Sequence, residues 1–216
     1  MSRWIIVSGI GVLALVMVLQ FSGIDVEVAH WASGLSDTQR DIFRTLSEFG
    51  DSKYTLIPSG IIALVGYFLK APRRIVYAAL LLFASVALSG IAANIFKFLI
   101  GRPRPRLLLQ GQEDFSPLTV DWLYHSLPSG HTTTAAAIAV VLTLWWRPLG
   151  IIGAALILAV GSSRVILGAH YPGDVLAGAW LGAVVSILLW KLSARHRSVS
   201  ALKKCPPLPK KNVHFW

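Results

Sequence analysis

Six apolar segments follow one another along this chain, and they constrain its fold more than any other feature. They run from Trp4 to Phe21, Tyr54 to Leu69, Ile75 to Ile100, Thr132 to Trp146, Leu149 to Leu167, and Val175 to Leu192. A helix needs about 20 apolar residues to cross the hydrocarbon core of a bilayer, so the second and fourth segments are short for a full span. Because a backbone in lipid must satisfy its own hydrogen bonds, the segments predict membrane-spanning helices.

The composition excludes an ordinary soluble domain. Hydrophobic residues make up 55% of the 216 residues, and charged residues only 14%. The formal net charge of +10 lies mostly beside apolar segments, where it would meet anionic lipid headgroups, so we expect no nucleic-acid partner. The single cysteine, Cys205, excludes an internal disulfide and a cysteine-based metal site.

One membrane domain is the simplest organisation, because no long polar stretch divides the apolar segments. We predict an all-α fold in which residues 1–195 form a bundle of six transmembrane helices. Residues 196–216 are predicted to form a basic, disordered cytoplasmic tail. We expect the first segment to remain as an anchor rather than to be cleaved as a signal peptide, since no clear small-residue cleavage site follows it.

The loop after the first segment contains a helix signature. Ser36-Asp37-Thr38-Gln39 has the pattern of a capping box, and Gly50 follows as a stop signal. Between them, apolar residues recur at helical spacing: Ile42, Phe43, Leu46 and Phe49. We predict a short amphipathic helix that lies in the membrane interface. It either covers the ends of neighbouring helices, which we favour, or guides substrate as a lid.

The distribution of charge predicts the orientation in the membrane. With a cytoplasmic amino terminus, the inner side carries twelve basic residues and none of the ten acidic ones. The twelve are Arg3, Lys70, Arg73, Arg74, Arg147, Lys191, Arg195, Arg197, Lys203, Lys204, Lys210 and Lys211. The positive-inside rule therefore places both termini in the cytoplasm, and the other loops face the periplasm or the cell exterior.

Three groups of polar residues interrupt the apolar pattern on that outer side. The first is Lys97 with Arg104, at the end of the third segment and in the loop that follows. A cation at an apolar helix end is costly without a counter-charge and so is a functional candidate, although long side chains also snorkel to the headgroups. Arginine adds a planar fork that matches phosphate. Arg102, in the same proline-rich stretch, stays without an assigned role.

The second group is Pro128-Ser129-Gly130-His131, directly before the fourth segment. Free backbone amides at a helix start form an anion site, glycine lets the backbone approach closely, and the Ser129 hydroxyl is a further donor. The alternative is a routine helix-entry turn. His131 favours the anion site, because an imidazole there can donate a proton to a departing oxygen near neutral pH.

The third group is Ser163-Arg164 with His170 and Asp174, around the connection between the last two segments. Arg164 lies in an apolar run and needs an anion or a cavity nearby. A spacing of four can place the Asp174 carboxylate beside one nitrogen of His170, which leaves the other nitrogen as a nucleophile. The alternatives are a helix cap for Asp174 and a satisfied interfacial histidine for His170.

Taken together, the three groups resemble the type 2 phosphatidic acid phosphatase (PAP2) family, in its membrane branch. Its pattern is met without a gap: Lys97, six residues, then Arg104-Pro105; Pro128 to His131; and Ser163-Arg164, five residues, His170, three residues, Asp174. The match is specific for the family and not for the substrate.

The resemblance implies a mechanism without metal or cofactor. His170 attacks phosphorus and forms a phosphohistidine, Asp174 orients and charges the ring, and His131 protonates the leaving group. The residues implied to hold the phosphate oxygens are Lys97, Arg104, Ser129, Gly130 and Arg164. The sequence is consistent with a reaction that uses no metal, since it has no His-Glu-x-x-His pattern, no clustered carboxylates and no cysteine set.

A site at the outer surface favours a lipid whose phosphate lies at headgroup level. Phosphatidate, phosphatidylglycerophosphate, undecaprenyl diphosphate and the phosphates of lipid A meet that description, so the predicted partners are such a lipid phosphate and the bilayer. The sequence does not indicate an oligomeric state.

The alternatives to a lipid phosphatase are a phosphotransferase with a lipid acceptor, an anion or lipid transporter, and a catalytically silent relative. The transporter is disfavoured because polar residues do not continue to the cytoplasmic side, and the silent relative because the motifs are complete.

Overall fold

The computed structural model describes residues 2–202, with side chains described for residues 3–194. All regular elements in this range are helical, which confirms the all-α prediction. They are α1 Ser2–Phe21, α2 Ile24–Ser33, α3 Asp37–Glu48, α4 Lys53–Phe68, α5 Arg73–Ile100, α6 Pro105–Leu108, a 3₁₀ helix Trp122–Tyr124, α7 Gly130–Trp145, α8 Leu149–Ile166 and α9 Pro172–Leu202. Helix α9 continues to Leu202, seven residues into the tail that was predicted to be disordered. The rest of that tail, residues 203–216, lies outside the described residues, and that part of the prediction stays open.

The six apolar segments form α1, α4, α5, α7, α8 and α9. Four of these, α1, α5, α8 and α9, are long and apolar enough to cross a membrane, and α7 is a shorter apolar helix of 16 residues. Large apolar side chains such as Ile10, Ile61 and Leu158 are exposed on the surface of the bundle, where a membrane protein contacts lipid. The chain is a multi-pass membrane protein.

The loop between α1 and α4 contains two helices, not the one that was predicted. The capping box at the start of α3 is present: Ser36 Oγ accepts from the Gln39 amide, and Gln39 Oε1 accepts from the Ser36 amide at 2.9 Å. Helix α2 was missed because its N-cap, Gly23, makes no side-chain capping bond. A buried contact of Asp25 with a distant arginine ties α2 to the rest of the fold, and such a contact leaves no local signal.

Helix α7 lies at the centre of the bundle and packs against α5, α8 and α9. Its alanines at 135, 136 and 137 are fully buried, so neighbouring helices approach its backbone closely. On α9, a Cβ atom at Gly178 or Gly182 would overlap backbone oxygens of α7. This tight crossing brings the starts of α7 and α9 together, where the Ser129 amide donates to the Asp174 carbonyl at 3.0 Å.

The long helices alternate in direction along the chain, so each end of the bundle contains the starts of some helices and the ends of others. At one end, the Tyr77 hydroxyl of α5 lies 2.7 Å from the Ser193 hydroxyl of α9, and Arg74 stacks on Trp145 at the end of α7. The opposite end collects the last turns of α5 and α8 and the first turns of α7 and α9. All three motif groups lie at that end.

Candidate active site

His170 and Asp174 lie side by side at the start of α9. The Nδ1 atom of His170 is 3.5 Å from Oδ2 of Asp174, slightly longer than a hydrogen bond, and such contacts commonly tighten when substrate binds. Both side chains are buried. Burial lowers the pKa of His170 to about 4, against the raising effect of the Asp174 carboxylate. The imidazole is therefore neutral at pH 7, with the carboxylate on its Nδ1 side and Nε2 on the opposite side of the ring.

Asp174 also bonds to groups other than His170. Its Oδ2 atom accepts hydrogen bonds from the Ser126 hydroxyl at 2.5 Å and from the Tyr171 backbone amide at 3.0 Å. The second bond reaches back to the residue before α9, as in a reciprocal helix cap. Asp174 thus caps its helix and also lies beside the histidine, so the two interpretations of this residue are compatible.

Arg102, which the sequence left without a role, is bonded directly to a residue of the site. Its Nη1 donates to Asp174 Oδ1 at 2.6 Å, and its Nη2 donates to Asp25 Oδ2 at 2.7 Å and to the Gln20 side chain. The guanidinium is 4.1 Å from the centroid of the Tyr171 ring. Arg102 is 2% exposed and both carboxylates are 0% exposed. Buried charges need such pairing, so Asp25, Arg102 and Asp174 form one linked triad.

The sequence did not predict the contacts within this triad. Arg102 had no assigned role, and Asp25 and Ser126 were not candidates. The partners of Arg102 lie 72 and 77 residues away in the chain. A weak signal existed, because the triad arginine stands in a Gly-Arg-Pro-Arg-Pro stretch whose prolines restrict where each arginine points.

Lys97, Arg104 and Arg164 gather within electrostatic reach of one another. Arg104 Nε donates to the Trp122 carbonyl at 3.1 Å, and Arg164 Nη1 donates to the Ser47 hydroxyl at 2.6 Å. The Nε atom of Arg164 is buried, with no hydrogen-bond partner among the described residues. Three cations held this close repel one another, which favours binding of an anion between them.

The start of α7 faces these cations. Ser129 is buried at the N-cap position, and Gly130 is the first residue of the helix. A Cβ atom on Gly130 would lie 3.5 Å from the Lys97 Nζ atom, so glycine leaves the space in front of the ammonium open. Backbone amides at a helix start bind anions, and this start lies next to a lysine.

His131, on the first turn of α7, is half-buried and lies within electrostatic reach of His170 and Arg164. The turn between α3 and α4 packs directly onto it. A Cβ atom on Gly50 would lie 2.9 Å from the His131 Cβ and 2.5 Å from Val160 Cγ1. The connection between α3 and α4 therefore supports the histidine.

Replacing Gly50 by alanine is expected to displace His131. The added methyl group has no space, and overpacking of this kind costs about 1–3 kcal/mol. We expect a lower melting temperature and a drop of about tenfold in the rate of phosphate release. Gly90→Ala on α5 is the matched control, because nothing lies within 4 Å of its added Cβ. Equal behaviour of the two variants would contradict the packing described above.

The structure thus brings all eight candidate residues to one end of the bundle. They are Lys97, Arg104, Ser129, Gly130, His131, Arg164, His170 and Asp174. A model of the PAP2 superfamily matches residues 78–198, more than half of the chain and all three motif groups. The chain belongs to the PAP2 superfamily.

Several curated relatives of this PAP2 protein are named as phosphatases. It is 35% identical to the lipid A 1-phosphatase of Rhizobium johnstonii over 161 residues, which cover 69% of this chain and 66% of that protein. It is 32% identical to the undecaprenyl-diphosphatase of Sulfolobus acidocaldarius over 163 residues, which cover 74% of this chain and 71% of that protein. The predicted enzyme class, a phosphatase of lipid phosphates, is confirmed at the level of the family.

A solved structure shows the same PAP2 fold. The PAP2 type phosphatidylglycerolphosphate phosphatase from Bacillus subtilis superposes with a TM-score of 0.68, covering 88% of this chain and 96% of that chain at 22% identity. The likeness extends over nearly all of that protein. The helix arrangement described above is therefore a PAP2 membrane fold.

Proposed function

We propose that this protein hydrolyses the phosphate monoester or diphosphate of a lipid at the outer surface of the membrane, through a phosphohistidine on His170. The observation that carries the proposal is the meeting of two imidazoles and three cations at one end of the bundle. The end of α5, the start of α7 and the connection between α8 and α9 contribute these groups.

The proposed reaction has two steps. In the first, His170 Nε2 attacks phosphorus, the bond from phosphorus to the lipid oxygen breaks, and His131 gives a proton to that oxygen. In the second, water attacks the phosphohistidine while His131 takes its proton, and the bond from phosphorus to nitrogen breaks to release phosphate. Asp174 stabilises the positive imidazole ring in between, as the carboxylate of a catalytic triad does.

The cations stabilise the charge that grows on the phosphoryl oxygens. Lys97, Arg104 and Arg164 approach this position from three elements, and the Ser129 hydroxyl and the Gly130 amide are further donors. Preorganised donors of this kind contribute about 3–4 kcal/mol each to transition-state stabilisation. The Arg164 Nε group without an acceptor is suited to a phosphate oxygen.

The proposed topology has six membrane spans, with both termini in the cytoplasm and the site facing the periplasm or cell exterior. The twelve basic residues on one side of the six apolar segments support it. We further propose that α3 lies in the membrane interface. The exposed side chains of Ile42, on this helix, and of Phe49, at its C-cap, support an interfacial position.

The test is a panel of four lipid phosphates in neutral detergent: phosphatidate, phosphatidylglycerophosphate, undecaprenyl diphosphate and lipid A. We expect release of inorganic phosphate from at least one of them, and we expect EDTA to leave the rate within about twofold, because the proposed chemistry uses histidine and cationic side chains. A phosphorylated lipid product in place of inorganic phosphate would indicate a phosphotransferase. Absence of both products for all four lipids would contradict the proposal.

A further inference from the structure

An arginine-rich cavity lies beside the candidate active site. Its volume is about 340 Å³, and its lining consists of Arg40, Arg44, Arg104, Arg106, Trp122, Arg164, Leu167, Gly168 and Ala169. None of these lining residues is a carboxylate. Five guanidinium groups around one polar cavity predict an anionic ligand.

Only two of the five arginines belong to the PAP2 motifs, namely Arg104 and Arg164. Arg40 and Arg44 come from α3, and Arg106 comes from α6. These three have no part in the reaction proposed above. They extend the positive surface of the site on the side that is lined by Leu167, Gly168 and Ala169. These three residues come shortly before His170 in the chain.

The contacts of Arg40 leave one buried donor without an acceptor among the described residues. Its Nη2 atom donates to the Ala32 carbonyl at 2.6 Å and to the Ser33 carbonyl at 3.1 Å, at the end of α2. These bonds fix the guanidinium in place. Its Nε atom is buried and has no acceptor among the described residues, like the Nε atom of Arg164. The cavity is thus lined by two arginines that each have an unused buried donor.

Arg44 is paired only with exposed acids. It contacts Asp41 at 2.5 Å and Asp37 at 3.2 Å, and the side chains of these acids are 63% and 85% exposed. Ion pairs at such a surface contribute little, so a phosphate can compete for the guanidinium at small cost. Arg106 is exposed and lies close enough to Arg104 for their charges to repel.

The lining of this cavity carries five positive charges and no carboxylate, which is more charge than one phosphate neutralises. A phosphate ester carries a charge of about −1.5 to −2 at pH 7, and Lys97, Arg104 and Arg164 already supply three positive charges for it. The three further arginines would remain without a compensating group on the ligand.

From this arginine lining, and on the basis of the proposed function, we infer that Arg40, Arg44 and Arg106 bind a second phosphate beside the reacting one. A lipid diphosphate or a bisphosphorylated headgroup would supply both phosphates in one molecule. A neighbouring anionic lipid would supply the second one separately. Both sources present the same phosphate chemistry to the cavity. If a single lipid supplies both phosphates, the cavity determines which substrate is preferred.

The kinetic experiment compares farnesyl diphosphate with farnesyl monophosphate in neutral detergent. We expect the wild type to have at least a tenfold higher kcat/KM for the diphosphate. Each of Arg40→Gln, Arg44→Gln and Arg106→Gln is expected to lower this ratio, and the triple variant by about tenfold, since charge-assisted bonds to phosphate are lost. Arg73→Gln, at the other end of α5, is the matched control for loss of one charge.

A second arm distinguishes the source of the phosphate. If the substitutions leave the diphosphate ratio unchanged but remove an effect of added phosphatidylglycerol on the rate, the site binds a neighbouring lipid, and the inference of a second phosphate stands. If the triple variant changes neither the ratio nor the lipid effect, the inference is wrong.

A binding measurement separates this inference from the proposed function. With the His170→Asn variant, inorganic diphosphate is expected to raise the melting temperature more than inorganic phosphate does, and the triple arginine variant is expected to lose that difference. Absence of phosphate release by the wild type would contradict the proposed function alone. Equal shifts by the two anions would contradict the second phosphate site alone.

Discussion

Replacing His170 by alanine is expected to lower phosphate release by roughly 10⁴-fold or more, because loss of a nucleophile removes the covalent step altogether. The buried imidazole lies within 3.5 Å of Asp174, and no other described histidine has such a carboxylate partner. The measurement is release of inorganic phosphate from the best lipid of the panel. The melting temperature in detergent shows whether the variant is still folded.

The control for this experiment is His30→Ala, which removes an exposed histidine of α2. It should retain the wild-type rate. A direct readout is radioactive label from a lipid phosphate on the protein after an alkaline quench, in which bonds from phosphorus to histidine survive. The wild type should be labelled and His170→Ala should not. Labelling of both proteins, or near-normal release by His170→Ala, would contradict the assigned role.

His131→Ala should behave differently, because the proposed role of His131 is proton donation. We expect a loss of about 10²- to 10³-fold on lipid alkyl phosphates, in the range of general acid catalysis. In kcat/KM, which reports the first step, the loss should be much smaller on p-nitrophenyl phosphate, whose leaving group needs no proton. In kcat both esters should lose rate, because His131 also takes the proton of water in the second step. Equal losses of kcat/KM on the two esters would show that the histidine acts in another way.

Replacing Arg102 by methionine is expected to cost about 3–5 kcal/mol in the free energy of unfolding, because two buried carboxylates lose their shared counter-charge. The guanidinium bonds Asp174 at 2.6 Å and Asp25 at 2.7 Å. Since Asp174 is then no longer held beside His170, the proposed nucleophile, we also expect kcat to fall at least about 100-fold. Unfolding in detergent and phosphate release measure the two effects.

Two further variants test the triad. Arg102→Lys keeps the charge but lacks the fork that bonds two carboxylates at once, so it should recover only part of the stability. Arg147→Met, an exposed arginine between α7 and α8, is the control for loss of a surface charge. An Arg102→Met protein with stability within about 1 kcal/mol of the wild type would contradict the triad's structural role, since breaking a buried pair costs more than that.

The helices followed closely from the sequence. Each of the six apolar segments is a helix, because the length of an apolar run reflects the thickness that a chain must cross. The helix ends lie within three residues of those predicted, except that α9 continues ten residues past Leu192. The capping box of α3 was also visible, since it depends on residues three apart. Helix α2 has no such local signal, and it was missed.

The sequence by itself determined the all-α class, the family and the eight motif residues, because motif spacing and apolar length are local properties of the chain. Tertiary structure alone decided that Arg102 bonds to both Asp25 and Asp174, and that arginines of α3 and α6 line a cavity beside the motif cations. Gly173 leaves the triad its space, because a Cβ atom there would lie 3.0 Å from Asp25 Oδ2 and 3.5 Å from Arg102 Nη1. A buried charge must find a partner, and which partner it finds depends on helix packing rather than on its neighbours in sequence.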